Sequence, residues 1–297
     1  LLENLRKEAL RLQRPLILTD YYEGLSMVYK KLGRYPKASE LHLKALYLLD
    51  SLKVKDSLYY SEAYSKLAAI QYESKNFRKA AEYWKKAVEI IQKSKVYRYD
   101  EVGLVNNIGV AYRNVRQNDS AMHYLKKSLD IAVRLKDSVW IGIIEGNIGD
   151  VLILEEKYTE AIPLLKRDIW YSTKYGEFGN AVNSLCQIGY CYDALGQHEQ
   201  AFQSYQKAFS MYRDKEAGFT NNIDAKYLEI LIKIYKGLAK SSIRDKQYEE
   251  FYGYRQEIDK LEDSLYKLNF RETVSIMEEN YTFEKKDMEN KLLKSNL

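Results

Sequence analysis

Apolar residues in this chain recur three and four positions apart, the spacing of an amphipathic helix, and the whole pattern returns about every forty residues. The stretch NNIGVAYRNVRQNDSAMHYLKKSL (106–129) is echoed by GNIGDVLILEEKYTEAIPLLKRDI (146–169), with small residues kept in place while most others change. One small position recurs at Ala38, Ala80, Ala121, Ala161 and Ala201. Another precedes each of these, at Ser26, Ala68, Gly109, Gly149 and Gly189. A third follows, at Ala45, Ala87, Ser128 and Ala208, with Asp168 standing in the fourth copy. Two antiparallel helices joined by a short turn approach closely only where each offers a small side chain at the crossing.

Bulky residues are placed to fill the space around each crossing. Leu25, Leu67, Ile108, Ile148 and Ile188 precede the first small slot, and Tyr29, Tyr112, Leu152 and Tyr192 lie one turn after it. Polar turns such as KLGRYPKA and ALGQHEQA separate the helices; Gly33 and Gly196 suit a helix C-terminus, and Pro36 the first turn of the next. The expected fold is all-α: a right-handed superhelical solenoid over 15–260, with repeats at about 19–50, 61–94, 102–136, 142–175, 182–214 and 224–260. The sixth is degenerate, with Ala239 in one slot and Phe251 in the next, its extra residues falling near DKEAGFTNN (214–222). Residues 1–14 read as a capping helix or a remnant repeat.

Residues 261–297 lack Pro and Gly, are dense in charge and read as one long helix. Val274, Met277, Tyr281 and Met288 fit a coiled-coil seam, interrupted by Glu284 and Lys291. That leaves two expectations open: a parallel homodimer through the tail, or a solvated helix docked on the last repeat.

The arrangement L-G-x-x-Y, a turn, then A-x-x-x-[YFL]-x-x-A resembles the tetratricopeptide repeat over residues 19 to about 260. The period exceeds the usual repeat length of about 34 residues, so it looks like the long-helix variety of peptide-receptor and motor-adaptor repeats. The tail phrases KLEDSLYK and ENYTFEKKDMENKLL are similar to the junction in Bacteroidetes-type membrane-anchored regulators. There an exported repeat array precedes a membrane helix and a histidine kinase or DNA-binding output. The resemblance implies a sensor or scaffold on the periplasmic side of a bacterial inner membrane, with any membrane segment outside this chain. The alternative is a soluble cytoplasmic adaptor for protein assembly. The chain opens on Leu1 rather than Met, as a fragment or processed form would.

Composition narrows the chemistry. A net charge of +5 with both signs interspersed, and no recognisable module, argues against direct nucleic-acid binding. Of 28 tyrosines, nine (Tyr22, Tyr29, Tyr35, Tyr64, Tyr112, Tyr158, Tyr192, Tyr205 and Tyr248) fall on scaffold slots, where packing explains them better than base stacking. His42, His123 and His198 also fall on scaffold positions, and no metal-ligand or phosphate-loop spacing occurs. Cys186 and Cys191 lie too far apart on one helix for a disulfide. Asn118 and Asn280 match the glycan acceptor pattern only as chance would give. No cofactor, metal or catalytic set is expected; the function is binding.

The residues that vary between copies on the first helices mark the inner wall of such an array. Lys66, Asn107, Asn147 and Gln187 share one phase; Ala69, Val110, Asp150 and Tyr190 come next, then Tyr72, Arg113 and Asp193, flanked by Asn106, Asn114 and Asn183. Carboxamides both donate and accept, which suits the main chain of an extended peptide. In related peptide-binding arrays an asparagine at this place clamps the ligand backbone, and Asn107 and Asn147 match it. The expected ligand groove is Tyr72, Asn106, Asn107, Arg113, Asn114, Asn147, Asp150, Asn183, Gln187, Tyr190 and Asp193.

Overall fold

The computed structural model describes residues 15–51, 57–94, 100–216 and 225–270, and these are helices joined by short turns. In chain order they are α1 (Pro15–Lys31), α2 (Tyr35–Ser51), α3 (Ser57–Glu73), α4 (Phe77–Ser94), α5 (Glu101–Asn114), α6 (Asn118–Leu135), α7 (Ser138–Leu154), α8 (Tyr158–Tyr175), α9 (Phe178–Ala194), α10 (His198–Glu216) and α11 (Ala225–Arg244). A last helix, α12, covers residues 248–270. From α1 to α10 each odd-numbered helix packs on the next even one, and successive pairs stack in order. The first helices also touch across pairs, α5 with α7, α7 with α9 and α9 with α11, which sets them on the inner side of the stack.

The small slots are the points of closest approach. Ala38, Ala80, Ala121, Ala161 and Ala201 are all fully buried, as are Ser26 and Ala68 opposite the first two. Ser26 Oγ donates to the Ala38 carbonyl at 2.8 Å, so the backbones there are separated by little more than one hydroxyl. Core residues run along the stack: one cluster extends from Ala68 to Cys191 and a second from Val182 to Leu238. Stability is therefore distributed between neighbouring pairs.

Six turns connect the two helices of a pair, and all six have one geometry. Gly33, Lys75, Arg116, Glu156, Gly196 and Lys246 take left-handed conformations with φ between 57° and 73°. In each, the next amide reaches back to the closing turn, as from Asn76 N–H to the Gln71 carbonyl at 2.8 Å and Gln117 N–H to Tyr112 at 3.0 Å. Only Gly33 and Gly196 hold this conformation without a Cβ clash. Lys75→Gly is expected to stabilise the protein by about 1 kcal/mol, the left-handed cost less the extra unfolded-chain entropy of glycine. Urea unfolding followed by circular dichroism measures it; a lower midpoint would contradict the turn geometry.

Two boundaries differ from the sequence reading. The first helices begin earlier than the small slots indicate, α7 at Ser138 rather than near 142 and α9 at Phe178 rather than near 182. At α7 the reason is a cap: Asp137 Oδ1 accepts from the Val139 and Trp140 amides, both at 3.0 Å. There is also no break at 260, since α12 continues to residue 270. It is the second helix of the sixth pair, joined to α11 by a Tyr235–Tyr254 ring contact and a Lys236–Glu262 ion pair at 2.7 Å, and its Ile258 is fully buried. The expected 1–14 cap and the proposed seam from Val274 to Met288 lie outside the described residues.

Candidate functional site

Helical spacing puts Asn107, Asn147 and Gln187 at one phase of α5, α7 and α9, and there they join a polar seam between neighbouring first helices. Asn147 Nδ2 donates to Asn106 Oδ1 at 3.0 Å, and Asn106 in turn donates to Asn107 Oδ1 at 3.4 Å. Arg113 donates through Nη1 to Asn147 Oδ1 at 3.0 Å and pairs with Asp150. Gln187 Nε2 completes the line, donating to the other Asp150 oxygen at 3.0 Å. The same position one pair earlier is Lys66, which reaches back to Glu23 at 2.8 Å. Burial would lower the Lys66 pKa, but its bonds to Glu23 and Glu62 outweigh that and raise it. Burial pushes the Asp150 carboxyl above the usual carboxylate range, against the opposing pull of Arg113, Gln187 and Lys233.

Some of these groups retain bonding capacity. Asn107 Nδ2 and Gln187 Oε1 have no hydrogen-bond partner among the described residues, and neither do the side chains of Asn180 and Asn183. All four residues are half-buried. Tyr190 stands beside Gln187 with half its surface exposed, edge-on to Tyr158.

Other expected groove residues are placed differently. Asn106 is inside the stack, 4% exposed, and serves as an internal link of the seam. Asp193 is buried at the end of α9, where it takes His198 Nδ1 at 3.2 Å and Lys240 Nζ at 3.2 Å, tying α9 to α10 and α11. Tyr72 packs against Phe77 and Trp84 and accepts from Asn114 Nδ2 at 2.9 Å, so these two close on each other. Tyr248 departs from its packing role, being 56% exposed.

His42 and the two cysteines lie inside the stack. His42 is fully buried with Nε2 at 2.8 Å from the Ala63 carbonyl, and burial lowers its pKa, so it stays neutral. Cys186 and Cys191 are buried free thiols pushed up to about 12 and about 11, too high for a nucleophile. Among the described residues no group of three or more His, Cys, Asp or Glu could hold a metal ion. Nor is any described helix long and apolar enough to cross a membrane. The sequence reading missed two charged residues beside the wall, Glu145 paired with Arg167 at 2.7 Å and the buried Asp168. For Asp168 the signal was present, as the one acid in a series of Ala and Ser.

Family models described as tetratricopeptide repeat match residues 18–93, 104–135 and 182–215, so the chain carries tetratricopeptide repeats. Curated proteins give no match. Among solved structures, the chain is similar to BtubC from P. vanneervenii, with TM-score 0.62, 20% identity, and coverage of 75% of this chain and 91% of that one. It is similar to a Rap protein complexed with Competence and Sporulation Factor, with TM-score 0.60, 17% identity, and coverage of 90% and 80%. It is similar also to a signal transduction ATPase with a tetratricopeptide repeat sensor from Pyrococcus horikoshii, with TM-score 0.65, 17% identity, and coverage of 88% and 38%. At these identities the likeness is one of fold.

Proposed function

We propose that the inner wall binds an extended segment of another polypeptide, without turnover. The observation that carries this is the row of half-buried carboxamides on α5 and α9 with unused donors and acceptors, Asn107 Nδ2 and Gln187 Oε1 among them. These groups keep access to solvent and so are available to a ligand, and a peptide main chain supplies alternating donors and acceptors to meet them. The seam beneath holds these groups in place before a ligand arrives, which reduces the ordering cost on binding. The Rap neighbour, a complex with Competence and Sporulation Factor, supports partner binding by this architecture.

Within that function, the array acts as the sensor or scaffold of a bacterial membrane-anchored regulator and faces the periplasm. The tail phrases support this over a cytoplasmic adaptor. Arrays of this kind flex because each pair touches mainly its neighbours, so ligand binding changes their curvature. An apolar span of about 20 residues followed by an output module in the parent gene is the observation that separates the two.

The binding reading is tested by selecting ligands from a displayed library of random peptides and titrating the best one. In the Asn107→Ala, Gln187→Ala double variant, two lost bonds of about 1 kcal/mol each weaken binding about 30-fold. Each residue also bonds the seam, Asn107 to Asn106 and Gln187 to Asp150, so the melting temperature falls by a few degrees and affinities are compared well below it. Unchanged affinity, or a library that yields no ligand, contradicts the proposal.

A further inference from the structure

At the third small slot, Ala45, Ala87 and Ala208 are fully buried methyls and Ser128 a fully buried hydroxyl, whereas α8 presents Asp168, 4% exposed. A carboxylate has replaced a methyl at a helix crossing. Space for it comes from Gly146 on α7: a Cβ there would lie 2.8 Å from Asp168 Oδ2. The neighbouring copies carry Asn106 and Cys186 at that position, so the glycine and the aspartate occur together in one pair only.

Three acids meet in this part of the wall, and two have a counter-charge. Asp150 has Arg113 and Glu145 has Arg167. Asp168 has only hydroxyls, Ser172 donating to Oδ1 at 2.9 Å and Ser184 to Oδ2 at 2.5 Å, and no cation pairs with it among the described residues. Burial pushes its carboxyl above the usual range, the two hydroxyls oppose this, and the charges of Asp150 and Glu145 add to it. Beside it opens a small notch, continuous with solvent, whose polar lining is Asn147, Asp150, Asp168, Asn180, Asn183 and Ser184.

We propose that this notch receives a primary ammonium group of the ligand, with Asp168 as counter-charge and the asparagine side-chain oxygens as further acceptors. This rests on the reading of the inner wall as the ligand site. An ammonium directs three donors to separate acceptors, and here the acceptors come from three helices. A guanidinium prefers the open two-oxygen edge of a carboxylate, but each Asp168 oxygen already takes a hydroxyl. A hard divalent ion needs six or more oxygens with more charge than one unpaired carboxylate brings.

The test titrates the full chain with n-butylammonium and its neutral analogue 1-pentanol, followed by amide NMR shifts. Butylammonium is expected to shift Gly146, Asn183 and Ser184 saturably, and pentanol is not. Asp168→Asn is expected to weaken binding about tenfold or more while raising the melting temperature by about 2–4 °C, because an uncompensated charge is gone. Asn183→Leu, at the edge of the notch, is expected to weaken binding about threefold with the fold intact. No saturable shift, an equal response to pentanol, saturation by Ca²⁺ in its place, or affinity retained in both variants overturns the proposal.

Two short peptides, one with a free amino-terminus and one blocked with an internal lysine, show which ammonium source the notch takes. A selected peptide that responds to Asn107→Ala, Gln187→Ala but to neither its own ammonium nor Asp168→Asn would sink the notch and leave the groove standing. Butylammonium binding with no selectable peptide would do the reverse.

Discussion

Gly109→Leu is expected to cost about 3 kcal/mol or more, the upper end of the overpacking range. A Cβ at 109 would lie 2.7 Å from Leu125 Cγ, 2.9 Å from Cδ2 and 3.2 Å from the Ala121 carbonyl. None of these can yield easily. Leu125 and Ala121 are both fully buried, and Ala121 is itself the small residue of α6 at this crossing. The helices α5 and α6 must therefore separate, taking Ile108 and Ala111 out of the core on one side and Ile131 on the other. Because the array is a chain of neighbour contacts, damage at the third pair divides it into two weaker halves. Urea unfolding should pass from one transition to two, or to one at a much lower midpoint. Gly253→Ala is the control: a Cβ there meets nothing within 4 Å, and the change is expected to be neutral or mildly stabilising. A Gly109→Leu protein with the parent's midpoint would remove the close crossing as the reason for the repeat.

The crossings were legible because they constrain residue type. In the first five pairs Gly, Ala or Ser stands at every crossing slot except that of Asp168, so the small slots recur in the sequence and the pairs can be read from them. The inner wall was half legible. Phase along α5, α7 and α9 brings Asn107, Asn147 and Gln187 to one side, but phase does not determine which side chain bonds which. The partners Arg113 and Asp150 are 37 positions apart, as are Asp150 and Gln187, whereas Asn106 and Asn147 are 41 apart. That offset depends on how far each first helix slides on its neighbour, and no local pattern encodes it. Asp193 shows the same limit: it shares the phase of Arg113, yet the turn brings His198 to it and α11 brings Lys240. Tyr248 shows another. Tyr158, at the same place in the fourth pair, lies under Tyr190 of the following first helix. Tyr248 makes no such ring contact among the described residues and is exposed.

Arg113→Met is expected to cost about 2–3 kcal/mol near neutral pH. Removing one member of a fully buried ion pair costs about 3–5 kcal/mol; here the two side chains keep 18% and 17% exposure, and water softens the loss. Methionine preserves most of the apolar stem, so the deficit reports charge rather than packing. Asp150→Asn added to Arg113→Met should recover most of it, since the amide still takes a bond from Gln187 and no lone charge remains. The pH dependence fixes the cause. Burial already holds Asp150 above its ordinary range with Arg113 opposing, and without Arg113 it rises further. A folded-state carboxyl pKa above the unfolded value of about 3.9 means the native protein holds the proton more tightly. The associated stability is then fully present below the unfolded value and is lost as pH rises through the raised folded one. The gap between Arg113→Met and the parent should therefore narrow as the solution is acidified from neutrality, and calorimetric melting of both proteins across that range measures it. A gap independent of pH would mean that Arg113 supports the wall through its stem alone, and one that widened in acid would mean that Asp150 is not the group it neutralises.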